Sequence, residues 1–112
     1  MLKNNVIIIP EVLDYLEELI IILYENEYFG FLESSSKYVQ ELLENIDSKL
    51  PLYPSKQAPK YFDKYGKNMK YTGFRKNRNT TWYVFFDTYE VENEIFYLVR
   101  YIANNHTIAQ YL

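Results

Sequence analysis

Residues 80–89 read TTWYVFFDTY and residues 95–102 read IFYLVRYI. Both are filled with β-branched and aromatic side chains, the types that fit a pleated, half-buried surface. Between them the polar residues 90–93 predict a turn, so the two runs read as consecutive strands. Upstream, residues 71–76 (YTGFRK) predict another strand, closed by the turn-forming Asn77, Arg78 and Asn79. Downstream, residues 104–112 are short enough for only a helical turn or a docked tail.

The N-terminal half reads differently. Residues 3–9 predict a short strand; Val6, Ile7, Ile8 and Ile9 lack polar alternation, as in a strand buried on both faces. Pro10 suits the first position of a helix, and Glu11 and Asp14 suit its positive end. That helix is predicted to run to about Asn26, with Val12, Leu16, Leu19 and Leu23 in one stripe. Ile21 and Ile22 make its later turns apolar most of the way round, which predicts cover on two sides, the second by another chain, a homodimer among the options. Residues 26–30 end it, with Gly30 supplying the turn. A second helix is predicted over residues 31–49, where Tyr38, Val39, Leu42, Leu43, Ile46 and Leu50 fall at three- and four-residue steps. Ser34, Ser35 and Ser36 predict a local break or a second cap in it. Pro51 and Pro54 end it, and a proline-bearing loop follows to residue 60. The order β-α-α-β-β-β predicts one α+β domain over residues 1–112. A short N-terminal strand leads into an antiparallel helical hairpin, packed on one face of a mainly antiparallel β-sheet.

Charge is unevenly distributed. Residues 56–78 hold eight of the twelve cationic side chains against the single acid Asp63, a net of +7. Residues 1–55 carry −7 and residues 79–112 carry −3. Tyr61, Phe62, Tyr65, Tyr71, Phe74 and Trp82 interleave with or follow the cations. Two arrangements produce that pattern: a surface that grips phosphates and stacks bases, or an exposed amphipathic strand pair. There is no cysteine and one histidine, so the usual zinc spacings are absent and no metal is expected. The three glycines stand apart at 30, 66 and 73, which leaves no phosphate-cradling loop and no expected cofactor. Residues 6–9 are too short for a secretory apolar region, and the longest apolar run, residues 19–24, is far below the ~20 residues that span a bilayer. A cytoplasmic protein without a membrane partner is the expectation.

The layout resembles the RelE/ParE toxin superfamily, small bacterial proteins encoded beside an antitoxin. The resemblance rests on the strand with Phe74 and Arg75, the turn at residues 76–80, and the strand Trp82-Tyr83-Val84-Phe85-Phe86. Residues 95–102, His106 and the ending Ile108-Ala109-Gln110-Tyr111-Leu112 complete it. It covers almost the whole chain in layout. It implies an antitoxin as partner and one of two modes of action. The nuclease branch cleaves ribosome-bound mRNA without a metal, holding RNA and the transition-state charge with cations while a Tyr or His moves the proton. Arg75 matches the basic residue closing the first meander strand, and His106 and Tyr111 fall where acid–base work is done. Lys70, Lys76, Arg78, Trp82 and Arg100 would then lie along the RNA. Thr80, Thr81 and Trp82 stand where the branch often has another arginine, and Ala103, Asn104 and Asn105 where it has Arg or Lys. The gyrase-directed branch has no catalytic residues to lose, and a degenerate member would keep only the scaffold and its association surface.

Each candidate also has a plain structural alternative. His106 and Tyr111 could anchor the tail, Arg100 could pair with Glu94 or Asp87, and Trp82 could pack in the core. Arg75, Lys76 and Arg78 could simply be solvated beside a turn. If Arg75, Arg78, Arg100 and His106 or Tyr111 line one groove, the nuclease reading stands. An Arg100 buried in an ion pair, together with a His106 that points away, favours a binding module.

Overall fold

The computed structural model describes residues 2–26 and 31–112. The order is β1 (Lys3–Ile8), α1 (Pro10–Glu25), α2 (Leu32–Lys49), β2 (Lys56–Gln57), a 3-10 turn (Lys60–Lys64), β3 (Lys70–Arg75), β4 (Thr81–Val91), β5 (Glu94–Asn104), α3 (Asn105–Ile108) and a last 3-10 turn (Ala109–Tyr111). The fold is α+β, with the expected strand, helical hairpin and meander. The turn assigned to Gly30 lies outside the described residues. The sheet has five strands in the order β1-β5-β4-β3-β2. β1 is parallel to β5, and all other pairings are antiparallel.

Several local expectations are corrected. β1 is an edge strand, exposed or half-buried along its length, because only β5 pairs with it. The three serines do not interrupt α2: Ser35 is buried within one continuous helix, and its Oγ has no hydrogen-bond partner. β2 was not anticipated; its two residues pair with Tyr71 and Lys70. The β4–β5 connection is tight, with Glu92 at φ 57 in the left-handed region. The Lys3 amide donates to the Asn93 carbonyl at 3.1 Å, tying β1 to this hairpin tip.

The strand alternation sends side chains to two different cores. Trp82, Val84 and Phe86 of β4 meet Phe74, Val99 and Ile102, and α1 and α2 cover them with Val12, Leu16, Leu19, Val39, Leu42, Ile46 and Leu50. Each fully buried large apolar side chain contributes about 1.5–3 kcal/mol. Phe85 faces the opposite way and joins Phe62, Met69, Ala103 and Ile108 in a second core. Phe62, at 0% exposure, stacks on Phe85 with ring centroids 4.4 Å apart. This second core exists because residues 58–69 and the tail fold back over the sheet. Residues 58–69 are thus a lid on the sheet, with Phe62 pointing inward while Lys60, Lys64 and Lys67 stay exposed; Phe74, on β3 itself, points into the main core on the other face.

Candidate functional site

At the β3–β4 end of the sheet lies a cleft of about 480 Å³. Leu19, Ile22 and Leu23 of α1 form its apolar wall, with Tyr15 and Asn26. Tyr38, Trp82, Asn77, Thr80, Asn104 and His106 supply its remaining described lining. The tail is pinned there by asparagines. Asn104 caps α3, its Oδ1 accepting from the His106 amide at 3.0 Å. Asn105 grips the turn on both sides: Oδ1 accepts from the Thr81 amide at 2.9 Å and Nδ2 donates to the Asn79 carbonyl at 3.1 Å. His106 Nε2 consequently sits 3.2 Å from Thr80 Oγ1. The stretch after β5 that could have carried cations carries structural caps instead.

Trp82 is 1% exposed, which corrects its assignment as a base-stacking residue: its ring is enclosed by the main core. Its Nε1 donates to the Tyr38 hydroxyl at 2.9 Å. Burial pushes the Tyr38 phenol up, and the Trp82 bond opposes that rise. Lys76 Nζ pairs with Glu41 of α2 at 3.1 Å and lies 4.8 Å from the Tyr38 ring centroid. Arg75 turns back on its own loop, Nε donating to the Asn77 carbonyl at 3.2 Å and Nη2 to the Arg78 carbonyl at 3.4 Å. Arg78 is exposed on that turn. Arg75, Lys76, Arg78, Trp82 and His106 therefore share one end of the sheet, yet the described cleft lining includes no charged side chain.

The other candidates lie elsewhere. Lys70 is at the opposite end of β3 and lines a separate hollow of about 370 Å³ with Tyr53, Tyr89 and Glu90. Arg100 has no partner in the register, since Phe85 faces Tyr101 while Phe86 faces Val99. This bulge turns its side chain onto the far face of the sheet. There Nε donates to Asp87 Oδ2 and Nη2 donates to the Tyr89 hydroxyl at 3.2 Å. Those bonds, Tyr89 first, raise the guanidinium pKa further. Gly66 permits the crossing, because a Cβ there would stand 2.8 Å from Arg100 Cδ. Of the two acids expected as partners, Asp87 is the one that Arg100 pairs with, and Arg100 does not converge on His106. Arg100→Ala is expected to cost about 1–2 kcal/mol, discounted for the pair's partial exposure. Arg100→Ala/Asp87→Ala should recover part of that loss in thermal melts. A phosphate-binding role alone would leave the melting temperature unchanged.

Tyr111 stacks on Tyr61 with centroids 3.7 Å apart and planes 2° from parallel. Lys64 Nζ lies 4.0 Å from the Tyr61 centroid, and its hydrogen bond lowers the Tyr61 pKa. Tyr65 stacks in the same way on Tyr101 at 3.8 Å. The first contact docks the tail on the lid, and the second docks the lid on β5. Burial, and then the Tyr65 hydrogen bond, push the Tyr101 phenol well above its ordinary value. A raised folded-state pKa means that stability is fully present below the unfolded value near 10 and falls as pH rises beyond it. Melting temperature should therefore drop above about pH 10, and Tyr101→Phe should make that drop shallower. Burial also raises Tyr15, so part of the slope should remain.

Sequence reasoning missed Tyr38, Asn104 and Asn105 as parts of the site. Tyr38 lay on a helical stripe and was legible as core, but nothing local placed it opposite a residue 44 positions away. Among the described residues no three His, Asp or Glu side chains come together as a metal site, and no helix is long and apolar enough to cross a membrane. Comparison with protein-family models, curated proteins and solved structures gives no match for this chain.

Proposed function

We propose that this chain acts by protein association, as the toxin-like member of a bacterial toxin–antitoxin pair that works in the cytoplasm and cuts no RNA itself. Its expected partner is a cognate antitoxin. The observation that carries this reading is the dispersal of charge. Metal-free RNA cleavage must stabilise a doubly charged, phosphorane-like transition state with donors and cations aimed at one point. Here Arg100 is bound to Asp87 on the far face, Lys76 to Glu41, and Arg75 to its own turn. His106 faces Thr80 with no cation in the described lining of its cleft. The sheet face opposite the helices, where RNA could lie, is occupied by Phe62, Phe85, Met69 and Ile108. An association module needs none of that machinery. A gyrase-directed inhibitor is one form of the same reading.

The nuclease alternative retains one favourable observation: His106 stands on the turn that bears Arg75 and Arg78. Induced expression followed by primer extension on translated mRNA separates the two. Wild type and Arg75→Ala/His106→Ala are both expected to leave mRNA ends unchanged. New ends in the wild type alone would establish cleavage and end the association reading.

A further inference from the structure

α1 buries Val12, Leu16 and Leu19 against the sheet. At 3.6 residues per turn, Leu13, Glu17, Ile21 and Tyr24 form a separate stripe facing away from that core, and Ile20, half-buried against the core, lies along its edge. Leu13, Ile21 and Tyr24 are exposed, Ile21 to 46%. Beside the stripe runs the start of α2, where Leu32 is exposed as well. Between the helices Ile20, Ile21 and Leu32 line a shallow groove of about 420 Å³ whose rim carries Glu17 and Glu33. The same wheel places Glu11, Asp14, Glu18 and Glu25 along the flank of α1. This face is thus an apolar strip bordered by carboxylates.

Resting on the association reading, we infer that this groove takes an amphipathic helix of a partner protein, with an apolar stripe seated on Ile20, Ile21 and Leu32 and Lys or Arg residues along its edges. Charge complementarity selects that occupant. An apolar stripe alone accepts many helices, but like charges set opposite each other suppress the wrong ones and opposite charges fix the register. A second copy presenting the same face would bring Glu17, Glu18 and Glu33 against their own counterparts. The chain's basic segment cannot serve from another copy either. Its helical part is the single 3-10 turn Lys60–Lys64, and its largest apolar ring there, Phe62, is buried. Helix-in-groove binding reads anchors at i, i+3, i+4 and i+7; the groove itself spans residues 17–21 of α1 and 32–36 of α2, and the exposed Leu13 and Tyr24 extend its apolar strip along α1.

The test uses the full chain and two labelled synthetic peptides of about five helical turns. Both carry a leucine stripe, one with lysines and the other with glutamates on the remaining faces. Fluorescence anisotropy at physiological salt should show binding of the lysine peptide and at least tenfold weaker binding of the glutamate peptide. Ile21→Asp should weaken the lysine peptide tenfold or more even though it makes the face more acidic, which separates seating in the groove from general attraction to negative charge. Leu32→Asp serves as a second variant, and circular dichroism confirms that both are folded. Glu17→Lys/Glu33→Lys should reverse the preference between peptides. Equal affinity of wild type and Ile21→Asp, equal binding of both peptides, or binding of neither would overturn the inference. Self-association in sedimentation that disappears with Ile21→Asp would also overturn it, replacing the basic helix by a second copy and leaving the association reading intact. The association reading itself fails separately, on new mRNA ends.

Discussion

Phe62→Ala is expected to be among the most destabilising single changes in this protein, costing about 3–5 kcal/mol and lowering the melting temperature by roughly 10–20 °C. The ring is wholly buried, stacked on Phe85 and edge-on to Tyr61. Around it the lid has few alternatives. The Phe62 amide donates to the Pro59 carbonyl, and Met69 and Ile108 close the same small core. Removing the ring leaves a cavity that these neighbours fill only partly, so the transfer cost and the cavity cost add. The loss should be local first. Limited proteolysis of the variant is expected to cut within residues 58–69 while the helical hairpin stays protected, because the two cores lie on opposite faces of the sheet. A variant that unfolds in one step, with no preferential cleavage there, would show that the two cores are a single cooperative unit.

Trp82→Ala is expected to have a similar cost, again about 3–5 kcal/mol, with a different signature. The indole packs in the main core between the sheet and the helices, so its loss should expose the whole chain rather than one segment. It also removes the donor from which the Tyr38 hydroxyl accepts on the wall of the cleft. Comparison of Trp82→Phe, Tyr38→Phe and the double variant isolates the hydrogen bond. Each single change should cost about 1 kcal/mol or more, and the double should cost less than their sum. Chemical denaturation followed by circular dichroism reads all of these. Trp82→Ala close to wild-type stability would contradict the burial of the ring and restore its availability to stack on a base.

The candidate site was legible in part, and the divisions are physical. The clustering of Arg75, Lys76, Arg78 and Trp82 followed from a short turn, since residues within one hairpin cannot separate. That His106 joins them depends on β5 running antiparallel to β4 so that its end meets the start of β4, with Asn104 opposite Trp82. The expectation of a strand at residues 3–9 held in place but not in burial: an apolar run records what a strand contains, not how many neighbours it has. The basic, aromatic segment admitted two arrangements, because cations alternating with rings look alike whether the rings face solvent or a core. Here Phe62 and Phe74 face inward, while Tyr61, Tyr65 and their lysines remain at the surface.

By itself, the sequence determined the α+β class, the positions of the main helices and strands and the turn between β3 and β4. These follow from hydrophobic period and from proline, asparagine and β-branched residues, which act over a few positions at a time. Tertiary structure alone decided that both faces of the sheet are covered, that a bulge aims Arg100 at Asp87, and that Trp82 bonds to Tyr38. Those outcomes join residues far apart in the chain. They are set by which surfaces meet when apolar area is removed from water, and no local pattern encodes that choice.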